Sequence, residues 1–203
     1  MVKTAVLMAT YNGQGFIHDQ LDSIRNQTLR PDYVLMRDDG STDDTVKVVE
    51  DYIKEHRLDG WSITSNDKNL GWRLNFRQLL IDVLAYEVDY VFFSDQDDIW
   101  YKRKLIEAIE CIKNNRCSLY GSNQQLVDLN GNIGSKRYDE ETIVYTNSIG
   151  IFQKNMIAGC TMVFPKTFLK VLREEQNRPS CELLKVRIHD VWIAMVASLY
   201  DGI

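Results

Sequence analysis

Little in this sequence serves the commonest metal and nucleophile sites. Its four cysteines (Cys111, Cys117, Cys160 and Cys181) are widely spaced and form no CxxC pair. That spacing argues against a zinc site or a disulfide framework and for a reducing cytoplasm. Three histidines, His18, His56 and His189, are too few for a His-rich metal centre. No G-x-S-x-G turn presents a nucleophilic serine. The glycines form neither GxGxxG nor a Walker sequence, so both familiar phosphate cradles are missing. Basic residues number 24 against 29 acidic ones, a formal net charge of -5, which argues against non-specific nucleic-acid binding. No apolar run approaches a membrane span, and that of the first ten residues is too short for a signal peptide, so any membrane contact is expected to be peripheral. Nothing repeats and no low-complexity linker divides the chain. We therefore expect one domain over 1–203, with a nucleotide-type half (1–115) and an irregular acceptor-type half (116–203).

What is present is a regular alternation. Val6–Ala9 reads as a buried strand, followed by a helix over Phe16–Gln27 with Phe16, Ile17, Leu21 and Ile24 near helical spacing. Tyr33–Met36 is a second strand. Ser41 or Thr42 can cap the next helix, with Asp43 and Asp44 in its first turn. Trp61–Thr64 is a third strand, and the helix after it carries Leu74, Phe76, Leu79, Leu80 and Val83. Tyr90–Ser94 is the fourth, with a helix through Leu105, Ile109 and Ile112 behind it. Four strand–helix alternations with short joints predict a doubly wound α/β sheet, mainly parallel, whose ligands bind beyond the strands' carboxyl ends. In the second half Leu119–Ser122 reads as a strand, Asn130-Gly131 as a hairpin turn and Ile157–Phe164 as a strand. Pro165 opens a helix, and a last helix starts at His189-Asp190. Gly134 to Asn155 has no assignable period.

Three polar loops fall at the carboxyl ends: Thr10–Gly13, Asp38–Ser41 and Asp95–Asp98. The last follows the apolar run Tyr90-Val91-Phe92-Phe93 and sets three carboxylates within four positions. Asp95 and Asp97, two apart, lie on roughly the same side and repel unless a cation joins them. Mg²⁺ or Mn²⁺, bound by one or two carboxylates plus substrate phosphates, suits that chemistry; so does a purely capping turn, with Asp98 capping a helix near Trp100. Thr10, Tyr11 and Asn12 offer hydroxyl, aromatic face and amide for a pyrimidine, and Asp39 an acceptor for an imino N–H or a ribose hydroxyl. As a crevice carboxylate, Asp39 is expected to carry little packing. Arg73 opens a helix toward the same crevice and can add a cation. Lys102, Arg103 and Lys104 read as a solvated helix start. Asp190 is either a first-turn carboxylate or a general base able to reach a hydroxyl proton.

Several of these segments, taken in order, resemble the family 2 inverting glycosyltransferases of the GT-A fold, in particular bacterial rhamnosyltransferase-like enzymes of surface polysaccharide assembly. They are Ala9-Thr10-Tyr11-Asn12-Gly13, Gln20–Ile24 with Gln27-Thr28, Arg37–Asp43, Asn69-Leu70-Gly71, Ser94–Trp100 and His189-Asp190-Val191-Trp192. The resemblance implies a Rossmann-like sheet with a smaller acceptor-side half. It implies that Thr10, Tyr11 and Asp39 hold the nucleoside of a UDP- or dTDP-sugar. Asp95-Gln96-Asp97 looks like the family's DxD motif, with Asp97 as direct metal ligand and Asp95 nearer the ribose. Asp190 matches the catalytic base, although many members have Glu-Asp where this chain has His189-Asp190. Members often continue past this point, so the chain is expected to be shortened at its C-terminus. The acceptor implied is a saccharide or lipid-linked saccharide, and the location cytoplasmic, at most peripheral to the cell membrane. Two other readings remain at this point: a GT-A-like binding module without turnover, and a nucleotidyltransferase. The second would want a basic residue in Thr10–Gln14, which has none.

Overall fold

The computed structural model describes residues 1–128, 131–138, 157–175 and 189–200. Strand–helix alternation runs through the first half as the sequence predicts. In order come β1 (Thr4–Thr10), α1 (Ile17–Arg25), β2 (Tyr33–Asp38), α2 (Thr45–His56), β3 (Trp61–Ser65), α3 (Trp72–Asp82), β4 (Tyr90–Ser94) and α4 (Lys104–Asn115). Then follow β5 (Tyr120–Gly121), β6 (Gln125–Val127), β7 (Ile133–Lys136), β8 (Met162–Pro165), α5 (Lys166–Glu175) and α6 (His189–Tyr200).

The main sheet has the order β3-β2-β1-β4-β8-β5. Its first four strands are parallel, and β8 runs antiparallel to both β4 and β5. Alternation of side chains across the strands sorts the core into two layers. Ala5, Leu7, Leu35, Val91 and Phe93 face α3, α5 and α6. Val6, Met8, Val34, Met36 and Phe92 face α1, α2 and α4. Phe92 and Phe93 are fully enclosed, one on each face; burying a side chain of that size contributes about 1.5–3 kcal/mol. Both faces are covered, which is why β1, β2 and β4 read as continuous apolar runs rather than alternating ones.

Several local expectations shift. Asp98 caps no helix: α4 begins at Lys104, six residues later, and Lys104 itself is half-buried rather than solvated. Its Nζ sits 4.3 Å from the centre of the Trp100 ring and donates to the carbonyl of Cys160 at 3.1 Å. Neither Ser41 nor Thr42 caps α2. The cap position is Asp44, with Asp43 before it accepting from the Thr45 amide at 3.0 Å and from the Thr45 hydroxyl, while Ser41 is drawn back to Asp38. The strand expected over Ile157–Phe164 begins only at Met162, after a 3₁₀ turn at Gly159–Thr161. The hairpin does form, between β6 and β7, so Gly134–Lys136 of the unassigned stretch is strand. Residues 139–155 of that stretch, the loop at Arg178-Pro179 and Cys181 lie outside the described residues.

Candidate active site

Register brings the loops together. Thr10 pairs with Asp38 and Met8 with Ser94, so β1, β2 and β4 run out at one edge. Because β8 is antiparallel to β4, its beginning rather than its end lies at that edge. A cavity of about 630 Å³ opens there, lined among others by Thr10, Tyr11, Asp39, Trp72, Asp95, Asp97, Gly159, Cys160, His189 and Asp190. Of the residues picked from sequence, Thr10, Tyr11, Asp39, Asp95, Asp97 and Asp190 therefore meet. Asn12 and Arg73 are absent from the lining. Asn12 adopts a left-handed backbone (φ 47°), and its Oδ1 accepts from the Thr42 amide at 2.8 Å while its own amide donates to Ser41. It stitches the first loop to the second. The Arg73 guanidinium lies 5.8 Å from the centre of the exposed Trp72 ring.

The loops hold one another through side chains. Asp38 accepts from the Thr10 hydroxyl at 3.0 Å and from the Gly40 and Ser41 amides. Gln96 clasps the backbone of Tyr11 from both sides, accepting from its amide and donating to its carbonyl, each at 2.9 Å. Gly13 leaves room for that clasp: a Cβ there would lie 2.2 Å from Gln96 Oε1, so a side chain would displace the Gln96 amide. Asp39 is not the loosely held crevice carboxylate expected. It is 3% exposed and accepts from Asn66 Nδ2 (2.9 Å), the Leu70 amide (2.7 Å) and the Gly71 amide (2.7 Å). A carboxylate has about four acceptor positions, so Asp39 keeps one for a ligand.

Charge concentrates at the end of β4. Ligand atoms of Asp95, Asp98 and Cys160 lie within 4.8 Å of one another. The tight partner of Asp95 is thus Asp98, while Asp97 is exposed at the cavity wall. Burial first, then the charges of Asp98 and Asp97, push the Asp95 carboxyl up to about 6, and Asp190 adds a smaller repulsion. Burial also raises Asp98. The Cys160 thiol is pushed far up by burial and by these carboxylates, so it stays neutral and is a poor ligand for a hard ion. Lys104 is lowered by burial, held up in part by the same acids. A cluster of carboxylates raising one another's pKa, with neutral sulfur beside them, suits Mg²⁺ or Mn²⁺, which prefer oxygen.

Asp190 is the second residue of α6, half-buried on the cavity wall, and its Oδ1 accepts from the Val191 amide at 2.6 Å. His189 was read from sequence as a structural histidine. It is 6% exposed, stacked on Phe76 (4.4 Å between centroids, 20° between planes) and edge-on to Trp72. Gln96, Trp72, Gly159 and Cys160 carried no sequence signal of their own. Only the DxD spacing around Gln96 could have drawn attention to it.

The sequence pattern of Glycosyl transferase family 2 matches residues 5–178. The chain belongs to that family. The family 2 chain is 40% identical over 116 residues to the dTDP-rhamnosyl transferase RfbG of Shigella flexneri, covering 57% of this chain and 40% of that protein. Its fold is that of TarS 1-349 from S. aureus, solved in complex with UDP (TM-score 0.68, 22% identity, 97% of this chain and 55% of that one). It is equally that of the mannosyltransferase PcManGT from Pyrobaculum calidifontis, solved with GDP-Man and Mn²⁺ (TM-score 0.68, 17% identity, 97% and 53%). The architecture is therefore GT-A, as the motifs implied. This family 2 chain spans about half the length of the relatives it matches.

Proposed function

We propose that the chain transfers a sugar from a nucleotide-sugar donor, a dTDP- or UDP-sugar with dTDP-rhamnose the leading candidate, to a hydroxyl of a saccharide or lipid-linked saccharide in cell-surface polysaccharide synthesis. The observation that carries this reading is the single cavity in which the nucleoside candidates, the acidic loop and Asp190 face one another. RfbG is named as a dTDP-rhamnosyl transferase, which supports thymidine and rhamnose; the UDP bound by TarS keeps uridine in view.

Tyr11 offers an exposed aromatic face to the base, and the remaining acceptor position of Asp39 suits the imino N–H common to uracil and thymine. Arg73 stands one residue beyond the lining Trp72 and supplies positive charge near the diphosphate. Asp95 and Asp97, with Asp98 beside them, would hold a Mg²⁺ or Mn²⁺ ion. Such an ion neutralises charge on the leaving diphosphate. Asp190 removes the proton from the acceptor hydroxyl as its oxygen attacks the anomeric carbon from the face opposite the nucleotide. The C–O bond to the diphosphate breaks as the new one forms, and a single displacement inverts the centre with no enzyme nucleophile. Its location, on this reading, is cytoplasmic and peripheral at the inner face of the cell membrane; no helix among the described residues is long and apolar enough to cross one.

Incubating the chain with dTDP- and UDP-sugars, Mn²⁺ or Mg²⁺, and a saccharide acceptor tests the proposal. Release of the nucleoside diphosphate with an inverted glycoside as product is expected. Binding of nucleotide without turnover by any of them would favour a binding module.

A further inference from the structure

His189 has a second feature, independent of its place in the motif. Both ring nitrogens are buried and have no hydrogen-bond partner among the described residues. An imidazole hidden from water with nothing to bond is costly, and such orphans in folded proteins call for an explanation. Thr4, Arg77 and Trp192 also carry a buried unpartnered atom, but none of them lines the cavity. His189 does. Its ring is clamped in an aromatic nest of Trp72, Phe76 and Phe93. A phenylalanine would satisfy that nest better, so packing alone does not account for an imidazole.

Resting on the nucleotide-sugar reading above, we propose that His189 is a donor-specificity residue whose ring Nε2 pairs with a hydroxyl of the transferred sugar. In a neutral imidazole Nε2 is a donor or an acceptor according to the tautomer, and a hydroxyl can answer either. Burial pushes the His189 pKa down to about 3, so the ring is neutral in the working range. His189 immediately precedes Asp190, the residue assigned to the face of the anomeric carbon opposite the leaving group, so its part of the wall borders the sugar rather than the base. Gly159 packs close against Nε2: a Cβ at that position would lie 2.7 Å away. With no side chain there, a small backbone adjustment on donor binding exposes the nitrogen.

The test compares wild type, His189→Phe and His189→Gln by calorimetric titration in Mn²⁺. The probes are UDP, dTDP, UDP-GlcNAc and dTDP-rhamnose. His189→Phe is expected to bind the two diphosphates as wild type does. It should bind the sugar nucleotide that wild type prefers about 10-fold more weakly. His189→Gln, whose amide reaches toward the position of Nε2, should recover part of that loss. His189→Phe should melt no lower than wild type, since it removes two unpaired polar atoms, so weak binding cannot be assigned to misfolding. Equal affinity of wild type and His189→Phe for the preferred sugar nucleotide would overturn the proposal while leaving the nucleotide site standing. Failure of wild type to bind any of the four would overturn the parent reading, and this one with it.

Discussion

Asp39→Ala removes one acceptor that serves three donors: the Asn66 side chain and the amides of Leu70 and Gly71. Asn66 has an alternative, since it already donates to Asn75 Oδ1. Both amides belong to the backbone just before α3, but that of Gly71 also donates to Asn69 Oδ1 at 3.0 Å, so the Leu70 amide is the one left stranded. Each hydrogen bond to a charged acceptor contributes about 1.5–3 kcal/mol. With one stranded donor and some access of water to the emptied site, the expected loss is about 2–3 kcal/mol. For a domain of this size that lowers the melting midpoint by about 5 °C or more. Circular-dichroism melts of wild type, Asp39→Ala and Asp39→Asn measure it. Asp39→Asn should be intermediate, because its one carbonyl oxygen still accepts but its amide group faces a donor. Amide exchange at Leu70 and Gly71 should quicken in the alanine variant. Nucleotide affinity should fall together with stability, through the loosened loop as well as the lost imino contact. A melt within 1–2 °C of wild type would refute the reasoning, and would return Asp39 to the status of a ligand group that carries no structure.

For Asp190→Asn, the amide oxygen can still accept from the Val191 amide, and melting and UDP affinity should hardly change. Sugar transfer should fall by roughly two to four orders of magnitude, the usual worth of a positioned base, and a folded variant with near-normal transfer would remove Asp190 from that role. Calorimetry with UDP or dTDP before and after EDTA should show affinity collapsing without the divalent ion; equal affinity in both would take the ion out of nucleotide binding. Acid should destabilise the protein through His189: its folded pKa is about 3 against about 6.5 unfolded, so its contribution is complete above the unfolded value and is lost as the pH falls below it. From pH 7 to pH 5 the loss is about 2 kcal/mol. Trp72, Phe76, Phe93 and Gly159 pack against the ring and do not titrate, and Asp190 is the ionisable neighbour on its own helix. The difference in denaturant midpoint between wild type and His189→Phe should therefore widen in favour of the variant at pH 5, and a constant difference would contradict a buried neutral ring.

The strands β1, β2 and β4 were legible because they are short apolar runs ending in polar loops, and three such ends in a parallel sheet must share an edge. Six of the eight residues singled out converge on one cavity for that reason. What could not be read is what the polar groups hold. Asp38, Asp39 and Asp43 look alike in sequence as an acidic turn. In the fold one ties two loops, one anchors the backbone ahead of α3 and one holds Thr45 at the start of α2. Lys104 looked solvated because helix starts usually are, and only the return of β8 beside β4 encloses it against Cys160. Gly159 and Cys160 had no signal, since antiparallel pairing over so long a separation leaves no local pattern.

That pairing also sets an order of assembly. Strands β1 to β4 pair within the first half of the chain and can form their layers while the remainder is still being made. The outer flank of β4 waits for Met162–Pro165, and closing so long a loop carries an entropic cost that local contacts do not. Until then Asp95 and Asp98 stand open to water, where two carboxylates repel only weakly. Docking of β8 brings Cys160 over them and strengthens that repulsion, which the neighbouring Lys104 offsets in part. If the cluster holds a divalent ion as proposed, such ions should speed the last phase of refolding.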